Sequence, residues 1–279
     1  MPLLGAHMSI AGGVNQAIAR GKRIGCEAIQ IFTKSNRQWR ARPLGKEEIA
    51  RFKHAREESG IFVFAHTSYL INLGASDEEL WTKSIASFIE EVKRCAALGL
   101  PYLVTHPGTC PEEAAGLKMI GLGLDAILKQ TEDSGVSVLL EVTAGQGATL
   151  GHRFEQLAWL IRNSACPERL GVCFDTCHAF AAGYDLRTPE AYAKTFAEFD
   201  DMIGIDRLRA VHLNDSRGEL GSRVDHHEHI GKGRLGLEAF RLILNDKRLK
   251  ELPMVLETPK GPEMKEDIEN LRVLRSLIR

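Results

Sequence analysis

The chain has 279 residues, of which 44% are hydrophobic and 26% charged, and its formal net charge is −1. This composition excludes a disordered or collagen-like chain and is typical of a protein that buries a full core. The near-neutral charge argues against the strongly basic surface of a typical nucleic-acid binder, so contact with nucleic acid would require a local patch or bound cations.

The N-terminal residues and the cysteines indicate a cellular compartment. Met1 is not followed by a basic segment and an apolar stretch of the kind that forms a secretory signal. No apolar run approaches the ~18 residues that are needed to cross a membrane. We therefore expect a cytoplasmic protein whose six cysteines are reduced, structural thiols.

Short apolar segments rich in β-branched residues recur along the chain and are typical of buried parallel strands. We predict eight, at residues 3–7, 28–33, 61–66, 102–107, 136–143, 170–176, 208–215 and 253–259. Amphipathic helical segments separate them. Eight alternations of strand and helix predict a (β/α)8 barrel with right-handed crossovers, and an open doubly wound sheet is the alternative. No linker divides the chain, so we expect one domain over residues 1–279.

The clearest helix is predicted from Asp77 to about Leu98. Its apolar residues repeat at helical spacing and form one stripe: Trp81, Ile85, Phe88, Ile89, Val92 and Cys95. Ser76 and Glu79 have the spacing of a capping box at its start. Gly99 can end the helix, because glycine tolerates the left-handed conformation at that position.

An imidazole or a carboxylate stands at or near the end of seven predicted strands. These residues are His7, His66, His106, Glu141, Asp175, His212 and Glu257. Three further residues of these types lie in the loops that follow: His178 after the sixth strand, and Asp225 and His227 after the seventh. The carboxyl ends of barrel strands converge on one face, where active sites are built, so we expect these side chains to lie close together.

Imidazoles and carboxylates suit zinc and similar divalent ions. A lone histidine at a strand end is usually structural, but here the same residue types recur at the same place in several strands. Glu141, Asp175 and Glu257 would repel one another if they were buried together without cations. Because zinc takes about three or four protein ligands, the set predicts two or three ions bridged by a carboxylate, and clustered ions favour phosphoester hydrolysis.

Four other histidines stand outside this set. His54 lies among charged residues in a predicted helix and is expected to be solvated. His152, His226 and His229 lie in loops, where either a surface role or support of the metal ligands is open.

Four segments resemble signature segments of the endonuclease IV family. They are FTKSNRQWRA (32–41), HTSYLINLG (66–74), GVCFDTCHAFAAGYD (171–185) and HLNDSRGELGSRVDHHEHIGKG (212–233). The resemblance extends from GAHMSIAGG near the start to LETP near the end. It implies a three-zinc (β/α)8 barrel that cuts duplex DNA on the 5′ side of an abasic site.

The resemblance also implies a set of ligands for each ion. The three sets are His66, His106 and Glu141; Glu141, Asp175, His212 and Glu257; and His178, Asp225 and His227. Glu141 would bridge the first two ions and Glu257 would orient the nucleophile, which makes these two the implied catalytic residues. Manganese could replace zinc. The implied products are a 3′-hydroxyl and a 5′-deoxyribose phosphate, and 3′ blocking groups would also be removed.

Two pairs of residues correspond to DNA contacts of the family. Arg37 and Gln38 follow the second strand, and Tyr69 and Leu70 match a pair that wedges into the duplex at the lesion. An aromatic or apolar wedge can fill the gap left by an extruded nucleotide. Apart from the resemblance, ordinary loop packing would account for Tyr69 and Leu70, and a solvated basic loop would account for Arg37 and Arg40. We expect a monomer that acts on double-stranded DNA with abasic or 3′-blocked damage and does not bind membranes.

The sequence departs from the family at two positions. Val142 replaces the usual asparagine, which would affect support of Glu141, and His226 replaces a common arginine, which would affect phosphate contact. Two other functions remain open: a sugar isomerase or epimerase that uses one divalent metal on the same barrel, and a non-catalytic metal- or DNA-binding protein. The third ligand set and the Tyr69–Leu70 pair distinguish the nuclease from the isomerase.

Overall fold

The computed structural model describes residues 1–279 and contains a closed barrel of eight parallel strands. The strands are β1 (Leu3–Met8), β2 (Ala28–Phe32), β3 (Phe62–His66), β4 (Tyr102–Thr105), β5 (Ser137–Glu141), β6 (Leu170–Asp175), β7 (Leu208–His212) and β8 (Pro253–Leu256). Neighbours in the barrel follow chain order, and β1 closes it by pairing with both β2 and β8. The predicted (β/α)8 barrel and its eight strands are confirmed, and the open sheet is wrong.

Nine α-helices lie between or after the strands. They are α1 (Val14–Arg23), α2 (Lys46–Ser59), α3 (Glu78–Leu98), α4 (Glu113–Gln130), α5 (Phe154–Arg162), α6 (Thr176–Ala182), α7 (Pro189–Met202), α8 (Gly236–Leu244) and α9 (Lys265–Leu277). Short 3-10 helices cover Glu132–Ser134, Pro167–Arg169 and Ile205–Arg207. No helix combines the length and the apolar character that spanning a membrane would require.

Two apolar layers hold the barrel together. The larger contains 63 buried residues and lies between the strands and the surrounding helices. The smaller lies inside the barrel, because its residues alternate along the strands with those of the larger layer. Its members are Ala28, Phe64, Val104, Leu139, Cys173, Ala210 and Val255. We call this smaller layer the barrel floor, because the residues that follow it along the strands rest on it.

The N-cap of α3 is Asp77, one residue after the predicted cap, Ser76. The Asp77 side chain accepts a hydrogen bond of 2.7 Å from the Leu80 backbone N–H, and the predicted capping box of Ser76 and Glu79 is wrong. A carboxylate at this position also interacts favourably with the helix dipole, which explains why Asp77 takes the place of Ser76. Gly99 ends the helix with φ of 73°, as predicted.

We expect Asp77→Ala to lower the free energy of unfolding by about 1 kcal/mol, because the first turn of α3 loses an N-cap acceptor. Urea titration followed by circular dichroism measures the change. Ser76→Ala is the matched control, since both side chains are exposed at the same helix start but Ser76 is not the cap. If Ser76→Ala were the more destabilising variant, Ser76 and not Asp77 would be the N-cap of α3.

Candidate metal centre

The polar residues predicted at the strand ends form one layer directly above the barrel floor. Side chains alternate along a strand, so the residue two positions after an inward-facing residue also faces inward. Seven floor residues are each followed, two positions later, by a polar residue. In strand order from β2 to β8 these are Gln30, His66, His106, Glu141, Asp175, His212 and Glu257. The same step in β1 leads from Gly5 to His7.

Glu141 lies at the centre of this layer and its side chain has no exposed surface. One carboxylate oxygen, Oε2, lies 3.0 Å from Nε2 of His66 and 3.2 Å from Nε2 of His106. The other, Oε1, lies 3.0 Å from Nδ1 of His212 and 3.2 Å from Nδ1 of His178. Four imidazoles from four segments of the chain therefore surround one buried carboxylate.

His212 faces three carboxylates through a single nitrogen. Its Nδ1 lies 3.0 Å from Glu141, 3.2 Å from Glu257 and 3.6 Å from Asp175. One N–H can donate to only one or two of these groups, and three buried anions at this range would repel strongly. A divalent cation between the four side chains would balance the charge. Their donor atoms lie within 4.8 Å of one another, close enough for one ion.

A third donor group comes from elements outside the eight barrel strands. His178 is in α6, while Asp225 and His227 come from the segment after β7. Nε2 of His178 lies 3.1 Å from Asp225 Oδ1 and 3.3 Å from Nε2 of His227. Two ring nitrogens that face each other beside a carboxylate are a typical arrangement for ligands of one metal ion. All nine predicted ligands thus fall into the three predicted groups.

Cys177 is a further donor near the third group. Its sulfur, an Asp175 oxygen and a His227 nitrogen lie within 4.8 Å of one another. Burial and the Asp175 carboxylate raise the pKa of the thiol to about 12, so it is neutral in the metal-free protein. The thiolate is the form of cysteine that binds metals, and this environment opposes it.

The hydrogen bonds of the histidine rings leave one nitrogen free to bind a metal. A backbone carbonyl can only accept, so the ring nitrogen that contacts it must carry hydrogen. Nδ1 of His66 donates to Thr67 O at 2.8 Å, and Nδ1 of His178 donates to Val142 O at 3.1 Å. Nδ1 of His227 lies 3.3 Å from Glu257 O. In His66 and His227 the Nε2 atom points to carboxylates. In His178 Nε2 faces Asp225 at 3.1 Å, while Nδ1 also lies 3.2 Å from Glu141. Nε2 is thus the nitrogen left for a metal when an outer hydrogen bond fixes the ring.

In His212 the outer hydrogen bond is formed by Nε2 instead of Nδ1, and its partner is Gln30. Its Nε2 donates to Glu257 Oε1 at 2.6 Å, so its Oε1 accepts from His212 Nε2 at 2.8 Å. In a neutral His212 ring the lone pair is therefore on Nδ1, the atom that faces the three carboxylates. The same amide nitrogen lies 3.0 Å from Nδ1 of His7. Burial lowers the pKa of His7 to about 3, which keeps that ring neutral and able to accept.

Sequence reasoning identified His7 but not the role of Gln30. A glutamine in the apolar strand β2, two residues after an inward-facing alanine, was the available signal. Which hydrogen bonds it forms could be determined only from the barrel. Asn214 was missed for the same reason: its Nδ2 donates to Asp175 at 2.7 Å, and its Oδ1 accepts from the Glu257 backbone N–H at 2.8 Å.

The pKa values of the metal-free site reflect its crowded charges. Burial alone would raise the pKa of Glu141, but the imidazoles around it, His212 foremost, hold it well below its usual value. Burial alone would lower the pKa of His178, but Asp175 and Asp225 raise it well above its usual value. The pKa of His212 is also raised well above its usual value, against the effect of burial. Without a metal, protons on these rings therefore supply the positive charge.

Asp215 organises the loop that carries Asp225 and His227 of the third donor group. Its buried carboxylate accepts backbone N–H groups at 2.8 to 3.0 Å. The donors are Ser216, Gly231, Gly233 and Leu235. A side chain on Gly233 would meet the carboxylate at 2.4 Å, so this approach requires glycine. Asp215 thereby ties both ends of the loop together, while Gln146 accepts from the Asp225 backbone N–H at 2.8 Å.

The departures from the family pattern have different consequences. Val142 is fully buried in the larger apolar layer, and its backbone carbonyl accepts from the His178 ring. The side-chain change therefore leaves this hydrogen bond in place. His226 is exposed between Asp225 and His227. His229 is partly buried and bonds Asn270, and His54 is exposed on α2.

The residues predicted to contact DNA lie in two adjacent loops beside the donor groups. The β2–α2 loop (residues 33–45) carries Arg37 and Gln38, both exposed. The β3–α3 loop (residues 67–77) carries Tyr69, which is 62% exposed, and Leu70, which is partly buried. The Tyr69 ring centroid lies 5.4 Å from that of Phe32 and 5.7 Å from that of His66. An exposed aromatic ring is thus held at the edge of the site.

Comparisons with known proteins agree with this arrangement. A family model described as "Xylose isomerase-like TIM barrel" matches residues 18–277. The chain is 52% identical to "Probable endonuclease 4" of Chloroflexus aurantiacus, covering 100% of this chain and 99% of the relative. It is 51% identical to "Probable endonuclease 4" of Geobacter sulfurreducens, covering 99% and 94%.

Solved structures give the same result. Endonuclease IV from Thermus thermophilus superposes with a TM-score of 0.88 at 44% identity, covering 99% of this chain and 98% of that one. A D-tagatose 3-epimerase-like protein superposes with a TM-score of 0.76 at 18% identity, over 99% and 96%, which indicates a shared fold alone. The chain is therefore an enzyme of the endonuclease IV family, built on a xylose isomerase-like TIM barrel.

Proposed function

We propose that this enzyme hydrolyses the phosphodiester on the 5′ side of abasic sites in duplex DNA. The products would be a 3′-hydroxyl and a 5′-deoxyribose phosphate, and the same site would remove 3′ blocking groups. The observation that carries the proposal is the convergence of three donor groups beside the exposed Tyr69 ring. The endonuclease names of its relatives support the same reaction class.

The donor groups fit three zinc ions. His66, His106 and Glu141 would hold one, and His178, Asp225 and His227 another; Glu141, Asp175, His212 and Glu257 would hold the third, with Glu141 shared. Mixed nitrogen and carboxylate donors suit zinc, and manganese is an alternative that the donor chemistry allows. When bound, such ions supply Lewis acidity for the phosphoryl oxygens and a nucleophile at neutral pH.

Glu141 and Glu257 have different roles because their exposure differs. Glu141 has no exposed surface, so it acts by holding cations in place. Glu257 is 13% exposed and is the only member of its donor group with exposed surface. Its carboxylate can therefore reach a water molecule at the open, carboxyl end of the barrel (the mouth). It would orient this water towards the phosphorus and accept its proton at Oε2. The hydrogen bond from Gln30 to Oε1 fixes the carboxylate for this task.

Recognition of the lesion would depend on shape, because an abasic site offers no base edge. Tyr69 and Leu70 would fill the space left by the extruded nucleotide. Arg37 and Gln38 would contact the DNA backbone from the neighbouring loop. With a net charge of −1 the chain has little general attraction for DNA, so bound cations would supply much of the local positive potential.

A sugar isomerase or epimerase is less well supported. The epimerase-like structure shares the fold at only 18% identity. The third donor group and the exposed aromatic wedge suit a large phosphodiester substrate, whereas isomerisation on this barrel would require one divalent metal. We also expect the enzyme to act as a monomer.

We expect the purified protein to cut a duplex that contains one tetrahydrofuran abasic analogue, immediately 5′ to the analogue. Glu257→Gln should slow incision by at least about a hundredfold, because the carboxylate loses its ability to accept a proton. Gel analysis of the labelled strand measures both effects, and elemental analysis reports zinc per chain. Glu251→Gln, at an 82% exposed side chain, is the matched control. An intact tetrahydrofuran strand with the parent protein would exclude the proposed activity.

We expect Gln30→Ala to weaken zinc binding by about 10- to 100-fold, because His212 and Glu257 lose the partner that orients them. Titration against a fluorescent zinc chelator measures the affinity without recourse to catalysis. Gln16→Ala, on the exposed side of α1, is the control. Equal affinities in the two variants would show that Gln30 does not position the ligands.

We expect zinc uptake to release protons from His178 and His212, whose pKa values are raised well above 6.5 in the metal-free protein. Zinc affinity should therefore fall with decreasing pH, starting above 6.5, because protons compete for the rings. The carboxylates, whose pKa values are lowered, stay ionised in this range. Calorimetry at pH 7.5 in two buffers of different ionisation enthalpy measures the protons released. Heats that do not depend on the buffer would contradict the expectation.

A further inference from the structure

A buried ion pair connects α3 to the loops beside the metal centre. The side chains of Lys34 and Glu91 are each 1% exposed, and Nζ lies 3.4 Å from Oε1. Burial raises the pKa of Glu91 to about 7 even though Lys34 opposes the shift. Removing two charges from water often costs as much as their attraction returns, so such a pair is a weak source of stability. Its hydrogen bonds suggest a different role.

Lys34 holds the β2–α2 loop from within. Its ammonium donates to the carbonyls of Gln38 at 3.2 Å and Trp39 at 2.7 Å, and to Ser87 Oγ on α3 at 2.8 Å. These carbonyls lie directly after Arg37. The ammonium therefore helps to fix the segment that presents Arg37 and Gln38.

Glu91 holds the β3–α3 loop in the same way. Its two carboxylate oxygens lie 3.3 and 3.2 Å from the Ser68 backbone N–H, which precedes Tyr69. Ser68 Oγ in turn donates to Asn36 O at 2.8 Å, which joins the two loops. The ion pair and Ser68 thus form one network between the two loops and α3.

The face of α3 that supplies these contacts continues by one further turn. Ser87, Glu91 and Arg94 are spaced by four and three residues, so they lie on one side of the helix. The Arg94 guanidinium donates to Thr33 O at 3.0 Å and Arg42 O at 2.9 Å, near the two ends of the β2–α2 loop. One helix face therefore fixes this loop at its start, middle and end.

We propose that Lys34 and Glu91 are positioning residues for lesion recognition, which hold the β2–α2 and β3–α3 loops in their DNA-binding arrangement before DNA arrives. This inference rests on the proposed function, because it takes Arg37, Gln38, Tyr69 and Leu70 as DNA contacts. A loop that is ordered before binding loses less conformational entropy when DNA binds, so it binds DNA more tightly. The buried charges are suited to this task because backbone groups of irregular loops require partners when they are buried.

The first test measures loop order in the zinc-loaded protein without DNA. The double variant Lys34→Met with Glu91→Leu replaces the pair by apolar side chains of similar size, which preserves packing. We expect amide hydrogen exchange over residues 36–40 and 67–71 to accelerate by about tenfold or more, because local opening becomes easier. Val92→Ala is the control, since it removes buried volume from α3 without touching the network. Unchanged exchange in the double variant would overturn the proposal.

The second test uses incision of the tetrahydrofuran duplex. We expect the double variant to raise KM by about tenfold, while the single-turnover rate at saturating DNA stays within about threefold and zinc per chain is unchanged. Glu91→Gln keeps an acceptor for Ser68 and should show a smaller rise in KM. Faster exchange with unchanged KM would also overturn the proposal. Failure of the parent protein to incise would instead reject the proposed function. The two failures can be told apart, because hydrogen exchange is measured without DNA.

Discussion

The structure depends on the need to neutralise several carboxylates buried in one small volume. Glu141 and Asp175 have no exposed surface, and Glu257 has little. His212 faces all three through Nδ1, while its Nε2 donates to Gln30 Oε1. Charges in this arrangement require cations, either protons on the imidazoles or bound metal ions. The geometry of the barrel, the orientation of the histidine rings and the proposed chemistry all follow from that requirement.

The barrel produces this arrangement because successive side chains of each strand point alternately inward and outward. The apolar floor of seven residues excludes water from below, and the next inward-facing residue of each strand stands above it. The donors on the strands consequently lie in one layer at the carboxyl end of the barrel. Fixed acceptors such as Thr67 O and Val142 O then select which ring nitrogen points inward. Because the Val142 contact uses the backbone carbonyl, it is kept although valine stands where the family usually has asparagine.

Buried charges help to hold the loops around the centre, in addition to the short strand pair of Asp215–Ser216 with His227–Glu228. Asp215 accepts four backbone N–H groups and secures the segment that carries Asp225 and His227. Lys34 and Glu91 bond backbone groups of the two loops on the other side of the mouth. In both cases a buried charged side chain bonds backbone groups of the adjoining loop. The same device therefore holds the loop of the third donor group and the proposed recognition loops.

The sequence by itself determined the number and order of the strands, because apolar runs and helical stripes are local patterns. It also indicated nine candidate donors, since six stand at strand ends, three follow in loops, and the segments around them resemble a known family. It did not determine the cap of α3, where Ser76 and Asp77 compete within one turn. Nor did it identify Gln30, Asp215 or the pairing of Lys34 with Glu91. The partners of these residues lie far away in the chain, and only closure of the barrel brings them within hydrogen-bonding distance.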